Sequence, residues 1–103
     1  MQDKVLSTIG LASKAGKIKS GAFATELSIK KHQAELVIIS TDASDNTKKQ
    51  FRDMCSYRDI PCYEYGSSDE LGKFTGNDSR MVAAVTDKGF AEKIKSVLPE
   101  VEI

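Results

Sequence analysis

Leu36-Val37-Ile38-Ile39 is the stretch from which the rest of the chain can be read. Four consecutive apolar residues, three of them β-branched, suit a strand whose two faces are both covered. A strand half open to water would alternate apolar with polar. The run lies between Glu35 and Ser40 and is too short for a buried helix. It predicts a central strand with helices on either side.

Working toward the N-terminus, Ala22 to about His32 reads as a helix opened by Ser20 and Gly21. Its buried side is ambiguous: Phe23, Leu27 and Lys30 form one face, and Ala24, Leu27 and Ile29 another. A short extended piece surrounds Ile18. Before it, Lys4 to Lys14 places Val5, Ile9 and Ala12, with Leu6 and Leu11, at helical spacing, and Gly16 falls where that helix stops. Toward the C-terminus, Thr41 to Asn46 is a turn. A helix from about Thr47 to Arg58 then buries Phe51, Met54 and Cys55. Pro61 ends the connection, and Cys62 to Tyr65 alternates as a shorter strand. Ser67 and Glu70 have capping-box spacing for a short helix, Asp69 to Thr75, that closes at Gly76. Arg80 to Thr86 is the last strand, with Met81 to Val85 in the core. Asp87 caps a final helix carrying Phe90, Ile94 and Val97, which Pro99 terminates. Helix and strand alternate throughout, which predicts a three-layer α/β/α sandwich around a four-stranded mixed sheet. With 103 residues and no linker or repeat, residues 1–103 read as one domain.

Composition removes several classes of function. No apolar run approaches the roughly 18 residues of a membrane span, and Asp3 and Lys4 interrupt any leader-like start, so a cytoplasmic protein with no membrane partner is expected. Cys55 and Cys62 lie seven positions apart, unlike a redox pair or a zinc knuckle, and read as free buried thiols. The formal net charge is zero. The balance is uneven along the chain: residues 1–31 hold six lysines against Asp3 and Glu26, a surplus of four, and the remainder has a deficit of four.

Catalysis and cofactors find no support. Gly10-Leu-Ala-Ser-Lys-Ala-Gly16-Lys17 resembles a phosphate-binding loop only superficially. Five residues rather than four separate its glycines, and Ile18 stands where Ser or Thr should hold magnesium. His32 is the only histidine and ends a lysine-rich helix, so it offers no base for Ser or Cys and no metal cluster with Cys55 or Cys62. Asp42, Asp45 and Asp53 are explained by capping and solvation. The protein is expected to be no enzyme and to need no cofactor or metal.

What remains is a polar surface. The amides that open the helix at Gly21 suit a phosphate, and Lys14, Lys17, Lys19 and Lys31 surround it in sequence. The loop Gly76-Asn-Asp-Ser-Arg80, followed by Met81, combines polar residues, a cation and an apolar tip suited to an unstacked base.

The run Gly21-Ala-Phe-Ala-Thr-Glu-Leu-Ser-Ile-Lys-Lys-His-Gln-Ala-Glu-Leu-Val-Ile-Ile-Ser40 resembles, without gaps, the helix-then-strand core of the L7Ae/L30e ribosomal protein superfamily. Thr41-Asp-Ala-Ser-Asp-Asn46 and Leu71-Gly-Lys-Phe-Thr-Gly76 are similar to its next two landmarks. Nearly the whole chain is covered, and the pattern is nearest the short bacterial ribosomal-protein-like members. The resemblance implies an α/β/α sandwich that binds structured RNA, ribosomal or kink-turn-like, with ribosomal or translation-associated proteins as further partners. It maps the RNA surface to the helix start at Gly21, the Thr41–Ser44 turn and the Asn77–Met81 loop. The RNA-binding residues so expected are Lys17, Lys19, Ser20, Gly21, Ala22, Phe23, Lys31, Asp42, Ser79, Arg80 and Met81. The chain departs from the family where kink-turns are read. Gly-Thr, then Asn or Lys, then Glu or Gln, with Lys three positions on, is replaced by Gly21-Ala22, Phe23, Ala24 and Leu27. Ser79 and Arg80 stand where an apolar and a small residue are usual. An alternative is a protein-interaction module of the same fold, with Phe23 as its anchor. Acidic groups around an exposed Phe23 would favour that reading, and basic ones RNA.

Overall fold

The structure is a computed structural model that describes residues 3–98. Its elements are α1 (Lys4–Lys14), β1 (Ile18–Ser20), α2 (Ala22–Lys30), β2 (Leu36–Ile39), α3 (Asp45–Tyr57), β3 (Cys62–Glu64), α4 (Ser68–Phe74), β4 (Val82–Val85) and α5 (Lys88–Val97). The strands form a mixed sheet in the order β1-β4-β2-β3, with β4 antiparallel to both β1 and β2, and β3 parallel to β2. All four residues of β2 are buried, as are all four of β4. These inner strands are the two whose sequences lack polar alternation.

Side chains alternate across the pleat into two cores. Leu36, Ile38, Tyr63 and Val85 pack with Val5, Leu6, Ile9, Leu71, Ala91 and Ile94, so α1, α4 and α5 cover one face. Val37, Ile39, Cys62, Val82 and Ala84 pack with Ile29, Phe51 and Cys55, so α2 and α3 cover the other. The three-layer sandwich expected from the sequence is the one observed. Among the described residues no helix is long and apolar enough to cross a membrane.

Caps fix where the helices begin. Asp3, Ser44, Ser67 and Asp87 accept from the amides of Leu6, Thr47, Glu70 and Phe90. Ser67 and Glu70 form the full capping box. Several boundaries differ from the sequence reading. α2 ends at Lys30, because His32 adopts φ 60° and breaks the helix. β4 starts at Val82 rather than Arg80, and Met81 is 42% exposed rather than core, since the chain reaches the sheet only after the preceding loop. α2 buries Thr25, Ser28 and Ile29, which is neither of the faces expected. The Thr25 hydroxyl donates to the Lys19 carbonyl at 3.2 Å, which lets a polar side chain sit fully buried. Leu11 is exposed, and Met54 and Val97 are half-buried at the margins of the cores. Pro99 lies outside the described residues.

Candidate nucleic-acid interface

Because β1, β2 and β3 run one way and β4 the other, their C-terminal ends meet the start of β4 at one end of the sheet. Four connections converge there, and backbone bonds lace them together. The Gly21 amide donates to Val82 O at 2.9 Å, Ser40 N to Met81 O at 2.7 Å, Thr41 N to Gly66 O at 2.8 Å, and Arg80 N to Ser68 O at 2.9 Å.

Gly21 sits at φ 94°, ψ 158°, a combination essentially confined to glycine. A side chain here would also touch Arg80, whose Nε lies 3.5 Å from an ideal Cβ position. As N-cap, Gly21 has no side chain to bond the first turn of α2, so those amides face outward without a side-chain acceptor. Ala22 and Phe23 are exposed beside it. Phe23 is 81% exposed, the most open phenyl ring of the described residues, and Leu27, one turn on, is 41% exposed.

Arg80 is folded back over its own loop. Nη1 donates to Ser79 O at 2.8 Å and Nη2 to Asn77 Oδ1 at 2.9 Å, while Nε–H is buried and has no acceptor. Asn77 is the tie of this region. Its Nδ2 reaches Ser20 Oγ at 3.2 Å, Thr75 O at 3.0 Å and Thr75 Oγ1 at 3.1 Å, joining the end of β1 to the end of α4. Gly72 lets the loop lie directly on α4, since a Cβ there would come within 2.5 Å of Ser79 N. Met81 holds the turn after β2 from the other side, accepting the Ser40 hydroxyl on sulfur at 3.6 Å.

Asp42 belongs to the same end of the sheet but faces α4. Its carboxylate accepts from Ser68 Oγ and Ser68 N, each at 2.9 Å. The Ser68 hydroxyl, then the Ser68 amide, hold its carboxyl below the ordinary carboxylate range. Asp42 therefore positions the start of α4. Asp53 is similarly engaged, with Lys49 at 2.7 Å. Among the described residues no three of His, Cys, Asp and Glu come together to hold a metal ion. Cys55 and Cys62 are buried free thiols, as expected, and lie side by side. Their mutual hydrogen bond, with burial, pushes the Cys62 thiol up.

Of the residues singled out from the sequence, the structure brings together Ser20, Gly21, Ala22, Phe23, Asp42, Ser79, Arg80 and Met81. It does not bring Lys17 and Lys31 to them, and Lys19, although next to Ser20 on β1, lines a separate cleft. The Lys17 carbonyl accepts from Thr86 N and Oγ1 at the opposite end of the sheet. Lys31 caps the far end of α2, about 13 Å of helix from Gly21. Lys19 lines a shallow cleft with Gln33, Glu35 and Thr86. Closeness in sequence misleads here because strand and helix both lead away from the Ser20–Gly21 corner. The roles of Asn77 and Gly72 escaped sequence reasoning, although the Leu-Gly-x-x-x-Gly element and the polar loop after it marked the place.

A sandwich with loops of this kind at one sheet end defines a class, and the comparisons agree. Residues 3–95 match the family model of the ribosomal protein L7Ae/L30e/S12e/Gadd45 family, and the chain belongs to that family. It is 38% identical over 97 residues to the RNA-binding protein YlxQ of Enterococcus faecium, covering 94% of this chain and 93% of that protein. It is 41% identical over 90 residues to the RNA-binding protein YlxQ of Bacillus subtilis (strain 168), covering 87% and 90%. Among solved structures, a protein of unknown function from Bacillus halodurans C superposes with a TM-score of 0.89 at 34% identity, covering 93% of this chain and 97% of that one. The Giardia lamblia 15.5kD RNA binding protein superposes with a TM-score of 0.77 at 25% identity, covering 91% and 84%.

Proposed function

We propose that the chain is a non-catalytic binder of structured RNA, and that the sheet end around Gly21 is its RNA surface. The observation that carries this is the juxtaposition of Gly21, the exposed Phe23 and Met81, and Arg80 at one corner of the fold. The relatives named as RNA-binding proteins, which align over nine-tenths of the chain, support it. Phe23 offers a face on which an unpaired base can stack, a contact worth about 1–3 kcal/mol per base. The outward amides of α2 and the Arg80 guanidinium suit phosphates. In its folded-back pose Arg80 keeps two hydrogen bonds but leaves a buried Nε–H without an acceptor, which a phosphate oxygen would supply.

The RNA bound is structured, of the ribosomal or kink-turn-like kind, and bases are read by stacking more than by their edges. A standard kink-turn is bound weakly, because Phe23, Ala24 and Leu27 replace polar readers, each worth about 1–3 kcal/mol. Ser20 and Ser79 line the same corner. Lys17, Lys19 and Lys31 would be reached only by RNA extending beyond the corner along β1 or α2. Titration of ribosomal RNA fragments and a kink-turn hairpin by fluorescence anisotropy tests the reading. Binding that is tighter than to a random hairpin, and about tenfold weaker in Phe23→Ala with an unchanged melting temperature, is expected. Equal affinity for all RNAs at moderate salt overturns it.

A second reading rests on the exposed Phe23–Leu27 pair, which lies at i, i+4 on α2 and could anchor a protein partner. Arg80, a cation, lies against Gly21, and the nearby Glu26 is neutralised by Lys30 at 2.8 Å, a balance that favours RNA.

A further inference from the structure

The exposed apolar residues are not confined to the Gly21 corner. Leu11, on α1, is 55% exposed and borders a groove of about 520 Å³ between α1 and α4. Phe74 and Gly10 lie in its wall, and Gly10 is bare for a reason. A Cβ there would stand 3.3 Å from Phe74 Cδ1, so any side chain would crowd the ring on the side that lines the groove. The two charged groups of the lining are Lys14 and Lys73, and it contains no carboxylate. At one end the lining includes Gly76, which directly precedes Asn77, the residue that ties Arg80 to β1.

We infer that this groove receives a single-stranded segment of the same RNA, with a base against Leu11 and Phe74 and phosphates against Lys14 and Lys73. The inference rests on the RNA-binding reading of the Gly21 corner. Its own support is the charge of the groove and its continuity with that corner through Gly76. An apolar floor between two cations matches the alternation of base and phosphate along an unpaired strand. An acidic polypeptide would also find the two lysines, but would have no reason to lie on the line that leads to Arg80.

Anisotropy with two probes tests this: a blunt kink-turn hairpin, and the same hairpin carrying a single-stranded tail of uridines on the order of eight nucleotides long. The tail is expected to tighten binding at least about fivefold. Lys14→Ala/Lys73→Ala should abolish that gain and leave the blunt hairpin's affinity unchanged. Both lysines are exposed, so the variant keeps the fold. The salt dependence of tailed binding should fall in the same variant by about 1.4 in log–log slope, for two single-strand phosphates. A tail that adds nothing, or a gain that survives the double substitution, overturns the inference. So does a gain that leaves the amide resonances of Gly10 and Leu11 unmoved, which would place the tail outside the groove. If the blunt hairpin is not bound but the tail binds in a Lys14- and Lys73-dependent way, the Gly21 reading fails and the groove stands.

Discussion

Gly72 faces the backbone of another segment with no room for a methyl group: an added Cβ would lie 2.5 Å from Ser79 N, 2.6 Å from Ser79 Cα and 2.7 Å from Asp78 C. None of those atoms can swing aside as a side-chain tip would. Gly72→Ala must push the Asn77–Arg80 loop away from α4 or distort the helix, and overpacking of this kind costs about 1–3 kcal/mol. We expect that loss in urea denaturation, together with weaker RNA binding, because Asn77 and Arg80 ride on the displaced loop. An alanine variant as stable as the parent would show that the loop is not seated as described. Gly21 is different, since its limit is backbone conformation rather than space. The sequence marks both glycines as landmarks, yet it cannot separate these two reasons for them. The exposure of Phe23 was expected from the family resemblance but not from its own pattern. A phenylalanine in a helix is ordinarily core, and only the side on which α2 meets the sheet decides otherwise.

The elements were legible where local chemistry and burial agree. β2 announces itself by composition, α4 by its capping box, and α5 by Asp87 and a clear apolar stripe. α2 was not legible in the same way. It buries Thr25 and Ser28 beside Ile29 and leaves Phe23 and Leu27 outside, which inverts the usual sorting of apolar and polar residues. α1 shows a further link that sequence could not supply, because its partners are far apart in the chain. Tyr65, just after β3, donates its hydroxyl to Asp3 Oδ2 at 2.6 Å and so ties the start of α1 to the sheet. Asp3's hydrogen bond, with some burial, pushes the Tyr65 phenol up to about 12 from 10.0. Burial acts to raise the Asp3 carboxyl, but the Tyr65 hydroxyl and the Leu6 amide outweigh it and hold the carboxyl below 3.8. The bond therefore needs a neutral phenol and an ionised carboxylate. The raised phenol contributes stability fully below pH 10.0 and loses it as pH climbs toward about 12. The depressed carboxylate contributes above 3.8 and loses it as pH falls through its lower folded value. Tyr65→Phe should cost about 1 kcal/mol between those limits, less than a buried charged hydrogen bond because both groups are largely solvated. Urea titrations across pH should show the two proteins converging above pH 10.0 and in acid. A constant difference through the alkaline range would refute the link.

At the scale of the whole molecule, charge is distributed so that the lysine surplus of residues 1–31 does not become one RNA-facing patch. Lys17 and Lys31 belong to the end of the sheet opposite Gly21, Lys19 lines the cleft with Gln33, Glu35 and Thr86, and Lys30 is paired with Glu26 at 2.8 Å. With zero net charge the protein as a whole exerts no net pull on RNA, so on the proposed reading affinity comes from local contacts. This separates two kinds of substitution that sequence alone would treat alike. Lys17→Ala/Lys19→Ala/Lys31→Ala removes three positive charges, yet it should leave affinity for a compact hairpin within about twofold and its salt slope unchanged. Arg80→Ala removes one charge and should weaken the same complex about tenfold, lowering the log–log salt slope by about 0.7–0.9, the increment of a single phosphate contact. Titrations of both variants over a series of salt concentrations measure the two effects together. If the triple variant loses more affinity and more slope than Arg80→Ala, RNA lies along β1 and the far end of α2. The corner at Gly21 would then be an incidental meeting of loops.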